Sequence, residues 1–154
     1  MADYRVREAT VADLDVLVEH RIAMFTDMGT PLDAPVVRQL FRDWLLKMMP
    51  AGTYRAWVCE DAPGRVVAGA GITLLDWPPG PSPRTGKIAF VYNVYTDQAH
   101  RKQGLARRLM DAMHGWCAAN GVAAVALNAS PDGRHLYESQ GYRLAPGPMM
   151  WKIP

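Results

Sequence analysis

The sequence has few features of a secreted or membrane-spanning protein. Only two of its 154 residues are cysteines, Cys59 and Cys117, and they lie far apart in apolar surroundings. We expect two free, buried thiols rather than a disulfide. No apolar run approaches the roughly 18 residues that a membrane-spanning helix needs, and the N-terminal residues MADYRVREAT lack the apolar stretch of a signal peptide. We therefore expect one cytoplasmic domain over residues 1–154, with no membrane partner.

Signatures of metal sites and of common nucleotide-binding loops are also missing. The four histidines show no ligand spacing, so no metal is expected: His20, His100, His114 and His135. We expect His114 on a helix surface. Neither a Gly-Lys-Ser/Thr sequence nor a GxGxxG sequence occurs. These absences argue against the commonest ATP and dinucleotide sites and leave other phosphate-binding loops open.

Positive charge is concentrated in one short segment. The chain carries 17 Lys and Arg against 15 Asp and Glu, a formal net charge of +2. Residues 100–108, HRKQGLARR, contain four Lys or Arg and no acid, and the remainder has 13 basic against 15 acidic residues. A nucleic-acid-binding protein usually has a broader basic surface. We therefore expect a small polyanion at this segment and no nucleic-acid partner.

Hydrophobic periodicity and turn residues predict a mixed α/β fold. Strands are predicted at 3–8, 53–60, 65–75, 87–96 and 122–128, followed by a hairpin within 142–153. Helices are predicted from Thr10, with Asp13 completing a capping box, to Gly29, and then over 35–49, 103–120 and 130–140. This order gives a central sheet of about seven strands with four helices on its two faces. The proline-rich segment 77–86 can only be a loop.

The basic segment follows a predicted strand and opens a predicted helix. A helix N-terminus presents unpaired amides and partial positive charge, and it binds an anion where the backbone can be approached closely. Gly104 and Ala106 remove side-chain bulk at this point, and the neighbouring Lys and Arg residues add attraction. Phosphate or pyrophosphate is the expected ligand. The alternative is a turn glycine within a solvated helix start.

Two motifs carry a resemblance to a known enzyme family. Arg101-x-x-Gly104-x-Ala106, after the strand IAFVYNVYT, resembles the acyl-CoA pyrophosphate loop Gln/Arg-x-x-Gly-x-Gly/Ala of the GNAT superfamily of N-acyltransferases. Residues 128–143, NASPDGRHLYESQGYR, are similar to the family's later Leu-Tyr-Glu-x-x-Gly-Phe/Tyr motif. The element order matches along nearly the whole chain. Lys102 and Gln98 depart from the pattern, because many members have glycine and proline there.

The resemblance implies a GNAT-like three-layer fold and a set of cofactor-binding residues. In the family, the pantetheine arm lies where the strand before the loop splays from the next strand. By this register the Val94 amide would hold the thioester carbonyl and stabilise the oxyanion, and Thr96 would pair with the pantetheine. The pyrophosphate would lie in the loop formed by Arg101, Lys102, Gln103, Gly104, Leu105, Ala106 and Arg107. Asn128 would bond the cofactor arm or cap a strand end.

The implied reaction is transfer of an acetyl group from acetyl-CoA to a primary amine, by direct attack in a ternary complex. Tyr137 matches the family's tyrosine that gives a proton to the leaving CoA thiolate; aromatic packing on a helix is the alternative. No cysteine lies in either motif, which argues against a covalent acyl-enzyme. Candidate bases for the amine are Glu19, His20, Asp27 and Asp76, or a chain of water molecules.

The acceptor site is expected between the first two helices and the proline-rich loop. Met24, Phe25 and Met28 would line an apolar pocket, with core packing as the alternative for Phe25. Trp77 and the loop over 77–86 would form a lid. The identity of the amine is left open, from small amines and amino acids to polyamines, antibiotics and protein N-termini.

Two other functions are compatible with the sequence. One is a non-catalytic acyl-CoA sensor of the same fold, and the other is a nucleic-acid-binding module that uses residues 100–108. Because GNAT-like domains are often dimers, a homodimer is a further expectation. The apolar C-terminal segment PMMWKI is the candidate interface.

Overall fold

The structure is a computed structural model that describes residues 3–62, 65–79, 86–147 and 149–154. These residues form five strands: β1 (Arg5–Glu8), β2 (Tyr54–Ala62), β3 (Arg65–Trp77), β4 (Gly86–Thr96) and β5 (Ala124–Ala126). They form four α-helices: α1 (Leu14–Asp27), α2 (Ala34–Met48), α3 (Leu105–Ala119) and α4 (Arg134–Ser139). Within these residues no helix is both long and apolar enough to cross a membrane.

The strands form one mixed sheet with helices on both faces. The strand order is β1-β2-β3-β4-β5, with the first four strands antiparallel and β5 parallel to β4. Successive residues of β2 point to opposite faces, so Val58 packs with the core beneath α1 and α2, whereas Cys59 packs with the core beneath α3. The predicted α/β class and three-layer arrangement are confirmed.

The predicted capping box at Thr10 is present. The Thr10 side chain accepts from the Ala12 amide at 3.3 Å, and the Thr10 amide donates to Oδ2 of Asp13 at 2.8 Å. Arg7 of β1 donates to both carboxylate oxygens of Asp13, each at 2.8 Å. These bonds fix a short 3-10 turn at Val11–Asp13 and join the start of α1 to the sheet.

The prediction of about seven strands is wrong, and the physical reason lies in the C-terminal segment. Residues 142–147 and 149–154 contain no strand, so the hairpin predicted within 142–153 does not form there. Pro146 and Pro148 lack the N–H groups that a strand ladder needs. The segment leaves Met150, Trp151 and Ile153 more than four-fifths exposed.

Several strands and helices begin or end at residues other than those predicted. Strand β5 has three residues instead of the seven predicted over 122–128. Helix α4 begins at Arg134 rather than Ser130, whose hydroxyl accepts from the Gly133 amide at 3.2 Å. Trp77 ends β3 opposite Gly86, and residues 80–85 of the predicted lid lie outside the described residues.

Candidate active site

Strand β4 extends well beyond its neighbour β5. The parallel pairing involves only Ile88, Ala89 and Phe90, whereas β4 runs on to Thr96. On that side of residues 91–96, the described part of the chain provides no further strand. The backbone groups along this edge can therefore pair with an extended ligand.

A β-bulge interrupts the pairing of β4 with β3 at the same place. Gly71 pairs with Tyr92 and Gly69 with Tyr95, which leaves Asn93 and Val94 opposite the single residue Ala70. The backbone of Asn93 has φ 59°, in the left-handed region that asparagine tolerates better than most residues. A bulge re-aims the backbone and side chains around it. The Val94 amide thus lies in an irregular part of the strand.

The loop between β4 and α3 leaves a run of backbone amides without acceptors. The Arg101 amide donates to the Gln98 carbonyl at 3.3 Å, and the Arg108 amide donates to the Gly104 carbonyl at 3.1 Å. Within the described residues, the six amides of 102–107 donate no hydrogen bond to the backbone. Such a run at a helix N-terminus is suited to binding an anion.

The loop's shape depends on two residues with positive φ. Lys102 has φ 62° and Gly104 has φ 76°. A methyl group on Gly104 would meet no atom within 4 Å, so glycine is needed there for its backbone conformation and leaves the space above it open. Lys102 occupies a conformation that glycine adopts more readily.

The arginines of the basic segment are tied to other parts of the protein. Nε of Arg101 donates to the Thr96 carbonyl at 2.9 Å, and its Nη2 pairs with the Asp27 carboxylate. The hydrogen bond with Asp27 raises the pKa of Arg101. Arg107 donates to Oγ of Ser139 at 2.7 Å, and Arg108 donates to the Tyr4 carbonyl at 2.6 Å. These bonds hold the three guanidinium groups against residues of β4, α1, α4 and the segment before β1.

Tyr137 lies in the buried layer between α3 and the sheet. Its side chain belongs to the core cluster that contains Leu105, and Val94 packs against the same cluster. A methyl group on Gly133 would lie 2.8 Å from the ring, so this glycine allows the ring to pack against the turn. Burial raises the pKa of Tyr137, which keeps its hydroxyl protonated at neutral pH. Asn128 is exposed, two residues after the end of β5.

An open cavity of about 600 Å³ lies on the other face of β4. Helix α2 provides five of its lining side chains, and α1, β2, β3 and β4 provide the others. The lining residues are Arg21, Val37, Leu40, Phe41, Trp44, Met48, Tyr54, Thr73, Tyr92 and Asn93. The cavity therefore reaches the bulge of β4, next to Val94.

Comparison with known proteins decides the family. The Acetyltransferase (GNAT) family model matches residues 15–142, most of the chain. The chain belongs to this family. A GCN5-related N-acetyltransferase from Ralstonia eutropha JMP134 is similar, with 34% identity over 98% of this chain and 99% of that one, at a TM-score of 0.86. No curated protein matches the chain.

Other solved structures share the fold at lower identity. A predicted acetyltransferase from Clostridium acetobutylicum, determined with acetyl-CoA, is 22% identical, with 97% of this chain and 96% of that one covered and a TM-score of 0.88. Glucosamine-6-phosphate N-acetyltransferase from Arabidopsis thaliana is 17% identical, with 99% of each chain covered and a TM-score of 0.74. The GNAT family and fold expected from the sequence are confirmed.

The four residues predicted to line the acceptor site of this GNAT protein are not among the residues that line the cavity. Met24 is half-buried, and Met28 and Trp77 are exposed; none of the three lines the cavity. Phe25 lies beneath the guanidinium of Arg21, 4.9 Å from the ring centroid. Sequence reasoning missed Arg21 itself. The available signal was an arginine one turn from Val18 and Phe25, within the apolar stripe of α1.

The candidate bases also lie outside the cavity lining. Glu19 is exposed and pairs with Arg38, whose hydrogen bond lowers the pKa of Glu19. Asp27 pairs with Arg101, and Asp76 lies exposed on β3. His20 is buried, and burial lowers its pKa even though the charge of Asp97 opposes this effect. Among the described residues that line the cavity, none carries a carboxylate or an imidazole.

The remaining sequence expectations concern cysteine, histidine and metal. Both cysteines are free and buried, as expected, and burial raises the pKa of each thiol. His114 is half-buried rather than on the helix surface, because its Nε2 lies 2.6 Å from the Tyr142 hydroxyl. Among the described residues, no three His, Cys, Asp or Glu side chains are grouped to hold a metal ion.

Proposed function

We propose that this GNAT protein is an N-acetyltransferase that moves an acetyl group from acetyl-CoA to a primary amine in a ternary complex. The observation that carries the proposal is the run of six amides at 102–107, which have no backbone acceptor among the described residues. It lies directly after the edge of β4 that β5 leaves free. Together they offer a pyrophosphate cradle followed by an extended groove, which suits the two parts of coenzyme A.

In this proposal the cofactor lies along β4 and across the start of α3. The amides of Lys102, Gln103, Gly104, Leu105, Ala106 and Arg107 bind the pyrophosphate. Arg101 acts by positioning the loop, because its amide donates to the Gln98 carbonyl and its guanidinium is bonded to Thr96 and Asp27. Thr96 pairs with the pantetheine arm, and Asn128 faces the arm from the end of β5.

The reaction is a direct attack of the amine nitrogen on the thioester carbonyl carbon. A C–N bond forms, and the carbonyl oxygen becomes an oxyanion that accepts a hydrogen bond from the Val94 amide. The carbonyl then re-forms and the C–S bond breaks, so the electron pair leaves with the sulfur. Tyr137 gives its proton to this thiolate and regains one from solvent.

Two features of the chain support direct attack. Burial raises the pKa of the Cys59 and Cys117 thiols, which disfavours the thiolate that an acyl-cysteine intermediate would need. The cavity opens next to Val94, so an amine bound there could approach the thioester without an intermediate carrier. Because the described lining residues include no carboxylate or imidazole, the proton lost by the amine passes to water.

The proposal also covers the wider organisation of the protein. Residues 1–154 form one acyl-CoA N-acyltransferase domain, located in the cytoplasm in keeping with its two free thiols. A homodimer is proposed because the segment from Met149 to Ile153 exposes Met150, Trp151 and Ile153. Light scattering on the purified protein tests this assembly; a monomer at micromolar concentration would exclude it.

The test of the activity begins with binding. Calorimetric titration should show that acetyl-CoA and CoA bind and that ATP does not, at two salt concentrations. Tyr137→Phe should then keep CoA binding and lose acetyl transfer to an amine panel. Tyr142→Phe, which removes a neighbouring hydroxyl, should keep both, because that hydroxyl bonds His114 rather than Tyr137 and the contact between the two rings remains.

The alternatives predict different outcomes. An acyl-CoA sensor would bind the cofactor and transfer nothing, with or without Tyr137. A nucleic-acid-binding module would ignore CoA and bind nucleic acid with a steep dependence on salt. The absence of any CoA binding would refute the proposed function.

A further inference from the structure

Among the described residues that line the cavity of about 600 Å³, Arg21 is the one with a basic side chain. Its guanidinium carbon lies 4.9 Å from the ring centroids of both Phe25 and Phe41. Its Nη1 donates to Oδ1 of Asn93 at 2.6 Å. These three contacts hold the guanidinium between α1, α2 and the bulge of β4.

This positive charge has no carboxylate partner in the protein. All 15 acidic side chains lie in the described residues, and the salt bridges of the chain include none to Arg21. By contrast, Arg7, Arg38, Arg42 and Arg101 each pair with an acid. A partly buried charge without a partner is costly unless something else neutralises it.

Asn93 fixes where the guanidinium points. Its Nδ2 donates to the Tyr54 hydroxyl at 2.8 Å while its Oδ1 accepts from Arg21, so the amide is held from both ends. A guanidinium has five N–H donors, and Asn93 takes one of them. Because Arg21 lines the cavity, other donors are available to a ligand there.

We infer that the acceptor is an α-amino acid with an apolar or aromatic side chain, whose carboxylate is bound by Arg21. The inference rests on the proposed function and names the substrate class of its second site. Charge complementarity identifies the carboxylate, since a guanidinium binds a carboxylate in a bidentate fashion. Cationic acceptors such as polyamines would meet the unpaired charge of Arg21 and are disfavoured.

The position of Arg21 favours an acceptor whose amine is on the α-carbon, next to the carboxylate, over one whose amine is further from the carboxylate. Arg21 bonds to Asn93, whose neighbour Val94 is the proposed donor to the thioester oxyanion. A carboxylate bound at Arg21 therefore brings an amine attached to the same carbon close to the reacting carbonyl. The wall formed by α2, with Leu40, Trp44 and Met48, then receives the side chain. An apolar wall of this kind suits a hydrocarbon side chain better than a sugar phosphate.

The test compares acceptors that differ only in the carboxylate. Acetyl transfer is measured with L-phenylalanine and 2-phenylethylamine, and with L-leucine and 3-methylbutylamine; glucosamine 6-phosphate provides an amine with a different anion. Each is assayed with the wild type, Arg21→Gln, Arg21→Lys and Arg42→Gln. Arg42 is exposed on α2 and pairs with Asp15, so it controls for the loss of an arginine away from the cavity.

We expect the wild type to favour each amino acid over its matched amine. Arg21→Gln should reduce the ratio of the two kcat/KM values by about ten- to a hundredfold, the worth of a hydrogen bond to a charged group. Arg21→Lys should keep part of the preference, and Arg42→Gln all of it. The two acceptors of a pair differ in amine basicity, but this difference is the same for every variant. It therefore cancels when the kcat/KM ratio of one variant is compared with that of another. An unchanged ratio in Arg21→Gln would overturn the inference, as would a wild-type preference for the sugar phosphate.

A binding measurement separates this inference from the proposed function. Calorimetry on the CoA complex should show tighter binding of N-acetyl-L-phenylalanine than of N-acetyl-2-phenylethylamine, and Arg21→Gln should abolish the difference. Equal binding of the two products overturns the inference while acetyl transfer to other amines stands. Failure to bind acetyl-CoA at all instead overturns the proposed function. Melting temperatures of the variants show whether each one is folded.

Discussion

A methyl group placed on Gly71 would lie 1.9 Å from the hydroxyl oxygen of Tyr54, on the neighbouring strand. Tyr54 is 2% exposed, and its hydroxyl accepts a hydrogen bond from Asn93 at 2.8 Å. Burial raises the pKa of this tyrosine to about 12. The glycine thus makes room for the hydroxyl that fixes Asn93, and through Asn93 the position of Arg21.

The first prediction is that Gly71→Ala destabilises the protein by about 1–3 kcal/mol, the usual cost of overpacking a core. The methyl group would also approach Cζ of Tyr54 at 2.3 Å, so the whole ring must move. Urea denaturation measures the change. Gly115→Ala is the control. Gly115 lies on helix α3, and a methyl group there would meet no atom within 4 Å. It should be neutral or slightly stabilising, and equal losses in both variants would contradict the packing argument.

The second prediction concerns the loop glycine. Gly104→Ala should weaken CoA binding and cost about 1–2 kcal/mol of stability, because alanine disfavours the left-handed conformation at φ 76°. Gly121→Ala, with φ 70° at the other end of α3, should lose similar stability and keep CoA affinity. Calorimetry and urea denaturation of both variants measure the two effects. If both lose affinity equally, the loop conformation is not what binds the cofactor.

The third prediction is an acid-sensitive contribution from Asp13. Hydrogen bonds from Arg7, with a further one from the Thr10 amide, lower the pKa of Asp13 against the opposing effect of burial. Since the folded pKa lies below the unfolded value, the stabilisation is complete above about pH 4 and is lost as the pH falls through the folded pKa. Asp13→Asn should therefore cost about 1.5–3 kcal/mol at pH 7, the worth of hydrogen bonds to a charged group.

The pH dependence separates this effect from a general loss of packing. Unfolding free energies of the wild type and Asp13→Asn, measured from pH 7 to pH 2.5, should converge at the acid end. Asp15→Asn is the control, since its carboxylate is exposed and pairs with Arg42 at the surface. It should cost less than about 1 kcal/mol. If the difference in unfolding free energy between the wild type and Asp13→Asn stayed constant down to pH 2.5, the charge argument would be contradicted.

Much of the fold could be predicted because it depends on local signals. The capping box at Thr10, the hairpin of β2 and β3 and the helix after Gly104 follow from residue spacing, and the structure contains all three. The C-terminal hairpin could not be predicted in this way. Alternating apolar residues indicate a strand, but Pro146 and Pro148 remove ladder donors, and the described segment is not covered by the rest of the chain.

The cavity that we propose for the acceptor was harder to predict than the loop that we propose for the cofactor. The loop residues are contiguous, so one short motif indicates them all. The cavity brings together Arg21, Tyr54 and Asn93 from three separate elements, and the spacing between them in the sequence has no period. Its decisive feature is that Arg21 has no carboxylate partner. This cannot be predicted from spacing, because it depends on where every acidic residue lies in the folded chain.

The last prediction is that the protein loses stability as the pH falls through the range of histidine, and that His20 is a principal cause. His20 is 5% exposed, and neither ring nitrogen has a hydrogen-bond partner among the described residues. Its ring packs 5.0 Å from that of Tyr95, and a methyl group on Gly69 would lie 3.2 Å from Nδ1. Burial lowers the pKa of His20, with the charge of Asp97 opposing.

Because the folded pKa lies below the unfolded value of about 6.5, the unfolded chain binds this proton more readily. The free energy of unfolding should then be highest above pH 7 and fall as the pH is lowered through 6.5, by at most about 1.4 kcal/mol per pH unit for one group. His20→Leu should flatten this slope and stabilise the fold at pH 5.5, since it removes an unpaired polar ring. A smaller slope should persist, because burial also lowers the pKa of His114. Urea denaturation at pH 7.5 and 5.5 measures the slopes, with His135→Gln, an exposed histidine of α4, as the control. Equal slopes in His20→Leu and the wild type would show that His20 binds protons equally well in the folded and the unfolded chain, which would contradict the prediction.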